Sequence, residues 1–113
     1  MKDRLYVIHV IECIDYINSY VLDGFESFKN DHKTYDAVLR QLQIMSESTK
    51  RLSEEIKKKN NQIAWREIAG FRNILVHDYL GDIDAQIVWS IIADELPQLK
   101  VAMQEELKIL QHS

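Results

Sequence analysis

Apolar residues recur at intervals of three and four from the first turn of the chain. Val7, Val10, Ile14, Ile17 and Val21 draw one stripe of a helix over residues 1 to about 22. Leu5, Ile8, Ile11 and Tyr20 widen the stripe beyond what one neighbour covers, which predicts two: another helix and another subunit. Asp23-Gly24 closes this helix, because glycine takes the left-handed C-terminal cap without a steric cost. Residues 25 to 33, with Phe25 and Phe28, read as a polar linker or short turn. A second helix is predicted from Asp31 or Thr34 to Ile56, with Ala37, Val38, Leu42, Met45, Thr49 and Leu52 on one side. Lys57-Lys58-Lys59-Asn60-Asn61 ends it with cations at the negative end of the dipole. A third helix starts near Ile63 or Ala64 and stops at Gly81. The fourth takes Asp82 or Asp84 as its N-cap and carries Ile87, Val88, Ile91 and Ile92. Pro97 should kink or break that helix, since it lacks a donor and crowds the preceding turn. Leu99, Met103, Leu107 and Leu110 then resume the stripe.

This pattern is all-α, a bundle of four to five helices with the last one kinked at Pro97. Composition agrees: 3 Gly and 1 Pro in 113 residues leave a β-rich fold short of turn residues. No alternating strand, internal repeat or glycine-rich phosphate loop interrupts the helical reading, and residues 1–113 read as one domain. The lone Cys13 excludes an internal disulfide framework and a structural zinc site, and it falls within the first stripe as a small buried hydrophobe. Glu12 and Asp15 interleave with the apolar residues of the first helix, so a signal peptide or membrane span is not expected there. A soluble, cytoplasmic protein with no membrane partner is the expectation.

Net charge is -4, which gives no global field for nucleic acid. The mean conceals an asymmetry. From Lys50 to Arg72 seven basic residues stand against three acids, whereas from Asn73 onward seven acids stand against two lysines. The basic segment leads into Arg72-Asn73-Ile74-Leu75-Val76-His77-Asp78-Tyr79, where a fixed cation, an imidazole and a phenol lie close together in an apolar run. A metal-free nuclease needs such a pair: a group that moves protons near pH 7 and a permanent positive charge for a phosphate.

Helical geometry complicates a single compact site. At 100° per residue, position 72 lies about 140° from position 77, while 73 is about 40° from 77 and 79 returns to within about 20° of 72. Arg72 therefore shares a face with Tyr79, and His77 shares one with Asn73. The divergence is removed if the helix distorts near Gly81, or if a two-fold axis beside it brings two copies into one cleft.

Arg72 and His77 with four residues between them, and Tyr79 two further on, match the R-x4-H-x-Y signature of HepT-like toxins in the HEPN superfamily. The resemblance extends to Ala37-Val38-Leu39-Arg40-Gln41-Leu42, to Trp65-Arg66-Glu67-Ile68, and to Val88-Trp89 with Leu96-Pro97. Ser46-Glu47 departs from a frequent Gly-Glu, and Ala64 from a Pro before the tryptophan; neither touches the signature.

The resemblance implies a HEPN-type helical bundle acting as a metal-independent endoribonuclease, the toxin of a type VII-like toxin-antitoxin pair. It implies an MntA-type nucleotidyltransferase antitoxin that transfers AMP from ATP onto Tyr79, adding bulk and negative charge at an RNA cleft. His77 would serve as acid or base and Arg72 would stabilise charge on phosphorus. Asn73 would orient His77 and Asp78 tune it. RNA and the antitoxin are the implied partners, with a homodimer or higher homo-oligomer as the active unit; no cofactor or metal is called for. The alternative is an inactive HEPN module that binds a nucleotide or scaffolds a nucleotidyltransferase. Trp65 and Trp89 read as packing anchors, Lys57-Lys58-Lys59 as a solvated helix end, and His9, His32 and His112 as surface or interface residues.

Overall fold

The computed structural model describes the backbone of residues 2–78 and 84–111, and the side chains of residues 3–71 and 84–111. Its helices are α1 (Lys2–Tyr20), α2 (Phe25–Asn30), α3 (His32–Lys50), α4 (Glu54–Lys59), α5 (Trp65–Asp78), α6 (Ala85–Ser90) and α7 (Leu96–Gln111). A π turn over Ile91–Glu95 joins the last two. Among the described residues there is no strand, as the sequence predicts.

Four long helices, α1, α3, α5 and α7, make the bundle. Asp3 of α1 accepts from the Ser53 backbone N–H at 2.9 Å, and His9 meets Ser48 at 2.7 Å, so α1 and α3 run antiparallel. Asp15 pairs with Lys100 at 2.7 Å, which fixes α7 against α1. Val7, Val10, Ile14 and Ile17 are fully buried with Val38, Leu42, Met45, Leu99 and Met103, the residues picked out by the spacing. Full burial of such side chains is worth roughly 1.5–3 kcal/mol each. The widened stripe of α1 splits: Ile11 packs against the core, whereas Leu5 is 68% exposed and Tyr20 is exposed and stacked on Tyr16.

Three boundaries differ from the sequence expectation. Residues 25–30 form a helix rather than a linker, because Phe28 is fully buried and its ring sits 5.3 Å from Tyr35 and 5.5 Å from Trp89. Gly24 has φ 90° and ψ −176°, an extended glycine conformation rather than the left-handed helical cap, and it opens α2. The predicted helix to Ile56 is divided, since Ser53 caps a new helix by accepting from the Ile56 N–H while Asp3 holds the Ser53 N–H.

The start signals were legible. Asp31 caps α3, and hydrogen bonds from the Thr34 hydroxyl and the Lys33 N–H hold its carboxyl below the usual carboxylate range. Asp84 caps α6 through the Gln86 N–H. Pro97 does not break the last helix. A proline ring crowds the carbonyl four residues before it, and the backbone just ahead of Pro97 takes a π turn in which the Leu96 N–H reaches back five residues to the Ile91 carbonyl. The predicted end of the third helix at Gly81 lies outside the described residues.

Candidate active site

Arg72 and His77 lie on α5, and the described structure shows how that helix is held. The Trp65 indole N–H lies 3.1 Å from the carbonyls of Lys57 and Asn60, pinning the first residue of α5 to the end of α4. One turn later Ile68 is buried, and its carbonyl accepts the Ser46 hydroxyl at 3.0 Å. Phe71 is buried next, directly before Arg72. The anchor reading of Trp65 therefore holds, with a hydrogen-bonding role that apolar spacing does not reveal. Trp89 likewise packs, its ring 5.5 Å from both Phe25 and Phe28.

Arg72, Asn73, His77 and Asp78 all fall within α5, which is helical without interruption from Trp65 to Asp78. Their side chains lie outside the described residues, and so does Tyr79 entirely. With the helix continuous, backbone register keeps positions 72 and 77 about 140° apart. One copy of α5 does not bring them to one face.

The flanking basic segment is partly committed to structure. Lys57 reaches the Lys50 carbonyl at 3.3 Å and Glu54 at 3.8 Å. Lys59 pairs at 3.0 Å with Glu106, a carboxylate almost fully buried that also accepts from Asn60 at 3.0 Å. The expectation of a purely solvated lysine run is corrected at Lys59, whose partner lies 47 residues away and could not be found by spacing. His9 is likewise partnered, with Ser48, at a separation of 39 residues. Among the described residues, no three His, Cys, Asp or Glu side chains gather as metal ligands, and no helix is long and apolar enough to cross a membrane.

The sequence profile of the family described as ribonuclease HepT-like matches residues 10–106. The chain belongs to the HepT-like ribonuclease family. Its enzyme class is accordingly ribonuclease. Among curated relatives, it is 33% identical over 106 residues to "Putative RNase" of Caldanaerobacter subterraneus subsp. tengcongensis, covering 93% of this chain and 94% of the other. It is 34% identical over 96 residues to "Probable ribonuclease HepT" of Thermococcus cleftensis, covering 84% and 86%. A protein of Methanocaldococcus jannaschii named "Gamma-glutamylcyclotransferase and putative RNase" is 35% identical over 109 residues, 96% of this chain. The HepT-like chain spans 47% of that longer relative. No solved structure matches it.

Proposed function

We propose that this HepT-like ribonuclease is a metal-independent endoribonuclease, the toxin of a toxin-antitoxin pair, acting in the cytoplasm as a dimer or higher homo-oligomer. The observation that carries the reading is the family match over residues 10–106, which spans the whole of α5 with Arg72 and His77 on it. The proposed chemistry needs only groups at those positions. The His77 imidazole takes the proton of a ribose 2′-hydroxyl, the 2′-oxygen attacks phosphorus, and the bond to the 5′-oxygen breaks as that oxygen gains a proton. His77 from a second copy, in its protonated form, donates that proton. Arg72 offers its guanidinium fork to the phosphate oxygens as negative charge accumulates. The products are a 2′,3′-cyclic phosphate and a free 5′-hydroxyl.

A shared cleft is favoured by the unbroken helix, because a two-fold axis beside α5 relieves the divergence between positions 72 and 77. Asn73, one turn before His77, orients the imidazole, and Asp78 tunes it. The antitoxin partner is a nucleotidyltransferase: the Tyr79 phenolic oxygen attacks the α-phosphate of ATP and pyrophosphate leaves. The added AMP blocks the cleft and repels the RNA backbone.

Cleavage of RNA by wild type and by His77→Ala tests the assignment. A loss of about 10²–10⁴ in rate with an unchanged circular dichroism spectrum is expected. A folded His77→Ala protein that cleaves at the wild-type rate excludes His77 as the proton-transfer group.

A further inference from the structure

The outer seam between α1 and α3 holds a groove of about 340 Å³ in which Tyr6 and His9 of the first helix face Arg40, Gln43, Ser48 and Arg51 of the second and its cap. Its charge runs against that of the chain. With a net charge of -4 overall, the protein collects two guanidiniums and an imidazole here against a single carboxylate, Glu47.

Three features suit the groove to a phosphate group. The two guanidiniums are permanently charged and carry planar forks of N–H donors, the geometry that matches phosphate oxygens. Arg40 rests on an amide, donating from Nη1 to the Gln43 side-chain oxygen at 3.3 Å. Neither that contact nor any burial neutralises its charge, since Arg40 is exposed. Second, His9 is held by one ring nitrogen: its Nδ1 lies 2.7 Å from the hydroxyl of Ser48, a residue that is almost fully buried, while His9 itself is exposed. That tether fixes the imidazole and leaves Nε2 as the nitrogen available to a ligand. Third, Tyr6 is partly buried against the core, a fixed wall suited to a ribose or a base.

The groove's charged lining faces away from the Ser46–Ile68 contact between α3 and α5. Ser46 turns toward Ile68 of α5, and Arg40, Glu47, Ser48 and Arg51 fall roughly 100–200° around α3 from it. Among the described residues the groove is lined by α1, α3 and the cap of α3, and none of its lining comes from α5.

We propose that the α1–α3 groove binds a phosphate group of a nucleotide through Arg40, Arg51 and His9. The phosphate belongs either to a polynucleotide or to a mononucleotide; only the polynucleotide source rests on the ribonuclease reading.

The test is a nuclear magnetic resonance titration of the isotope-labelled full chain, each titration at fixed ionic strength and the set repeated over a salt series. Three probes are used: inorganic phosphate, AMP, and a single-stranded 2′-O-methyl oligonucleotide, which offers no 2′-hydroxyl for cleavage. Saturable movement of the His9 ring and the Arg40 and Arg51 guanidinium signals is expected. In Arg40→Gln/Arg51→Gln the movement at His9 disappears and affinity falls at least tenfold, while Arg40→Lys/Arg51→Lys keeps part of it. A polynucleotide source shows as tighter binding of the oligonucleotide than of AMP, with a log–log salt slope shallower by about 1.4 in the Gln variant, two phosphate contacts at about 0.7 each. A mononucleotide source shows as AMP binding at least as tightly as the oligonucleotide. Absence of saturable shifts at all three residues with every probe overturns the proposal, as does a folded Gln variant that binds like wild type. Wild-type protein that cleaves RNA while the Gln variant binds unaltered removes the groove and leaves the ribonuclease reading. Phosphate binding in the groove of a protein that cleaves no RNA does the reverse.

Discussion

Ser46 donates its hydroxyl to the backbone carbonyl of Ile68 at 3.0 Å, joining the middle of α3 to the helix that carries Arg72 and His77. Ser46 is completely buried, so this bond forms in the dry seam between the two helices. Ser46→Ala should cost about 1 kcal/mol, the net worth of one buried hydrogen bond, and lower the melting temperature by about 4 °C. Ser46→Gly should cost about 1 kcal/mol more, because glycine in a helix interior orders more backbone. Thermal unfolding of the three proteins measures both steps; equal melting temperatures for wild type and Ser46→Ala would show that the bond adds nothing.

Cys13 makes a pH-dependent contribution. Burial, aided by the neighbouring charge of Glu12, pushes its thiol up from 9.0 to about 11. The folded state then holds the thiol proton more tightly than the unfolded chain does. The resulting stability is complete below pH 9 and is lost as pH rises through 11. The stability difference between wild type and Cys13→Ala should therefore shrink between pH 9 and 11 in denaturant titrations. Labelling of Cys13 by a thiol reagent at pH 8 should be slow in the native state and fast in denaturant; equal rates in the two would refute a buried thiol.

Tyr79 is the proposed off switch. Co-expression with a neighbouring nucleotidyltransferase should give the chain an AMP-sized mass increment, and the modified chain should lose RNA cleavage. Tyr79→Phe should keep cleavage, gain no increment and escape neutralisation, since only the phenolic oxygen is missing. An increment retained in Tyr79→Phe would move the acceptor elsewhere.

Much of the fold was legible because local chemistry and packing point the same way. Asp31 and Asp84 cap where their short carboxylates precede an apolar period, and Val7, Val10, Ile14 and Ile17 are buried where a 3.6-residue repeat places them. The misses are features whose cause is remote in sequence. Ser53 caps its helix locally through the Ile56 N–H, but its own N–H is held by Asp3, 50 residues away, a contact no spacing reveals. The short α2 forms because Phe28 finds Tyr35 and Trp89. At Pro97 the sequence offered a kink or a break, and the backbone answers with a π turn over Ile91–Glu95 rather than a break. The candidate site was readable from sequence because R-x4-H-x-Y is local text, and its Arg72 and His77 fall on α5. The groove at His9 and Ser48 was not, since its two walls are 39 residues apart and neither carries a spacing signal.

In the proposed mechanism RNA is cut without a metal in a cleft shared by two copies of α5. Specific RNA-cleaving activity in excess EDTA over a dilution series, with sedimentation at the same concentrations, probes both features at once. Cleavage should survive the chelator and fall in step with the dimer fraction on dilution. Activity lost in EDTA and restored by a divalent ion, or a full rate per chain from a sedimenting monomer, would contradict that mechanism.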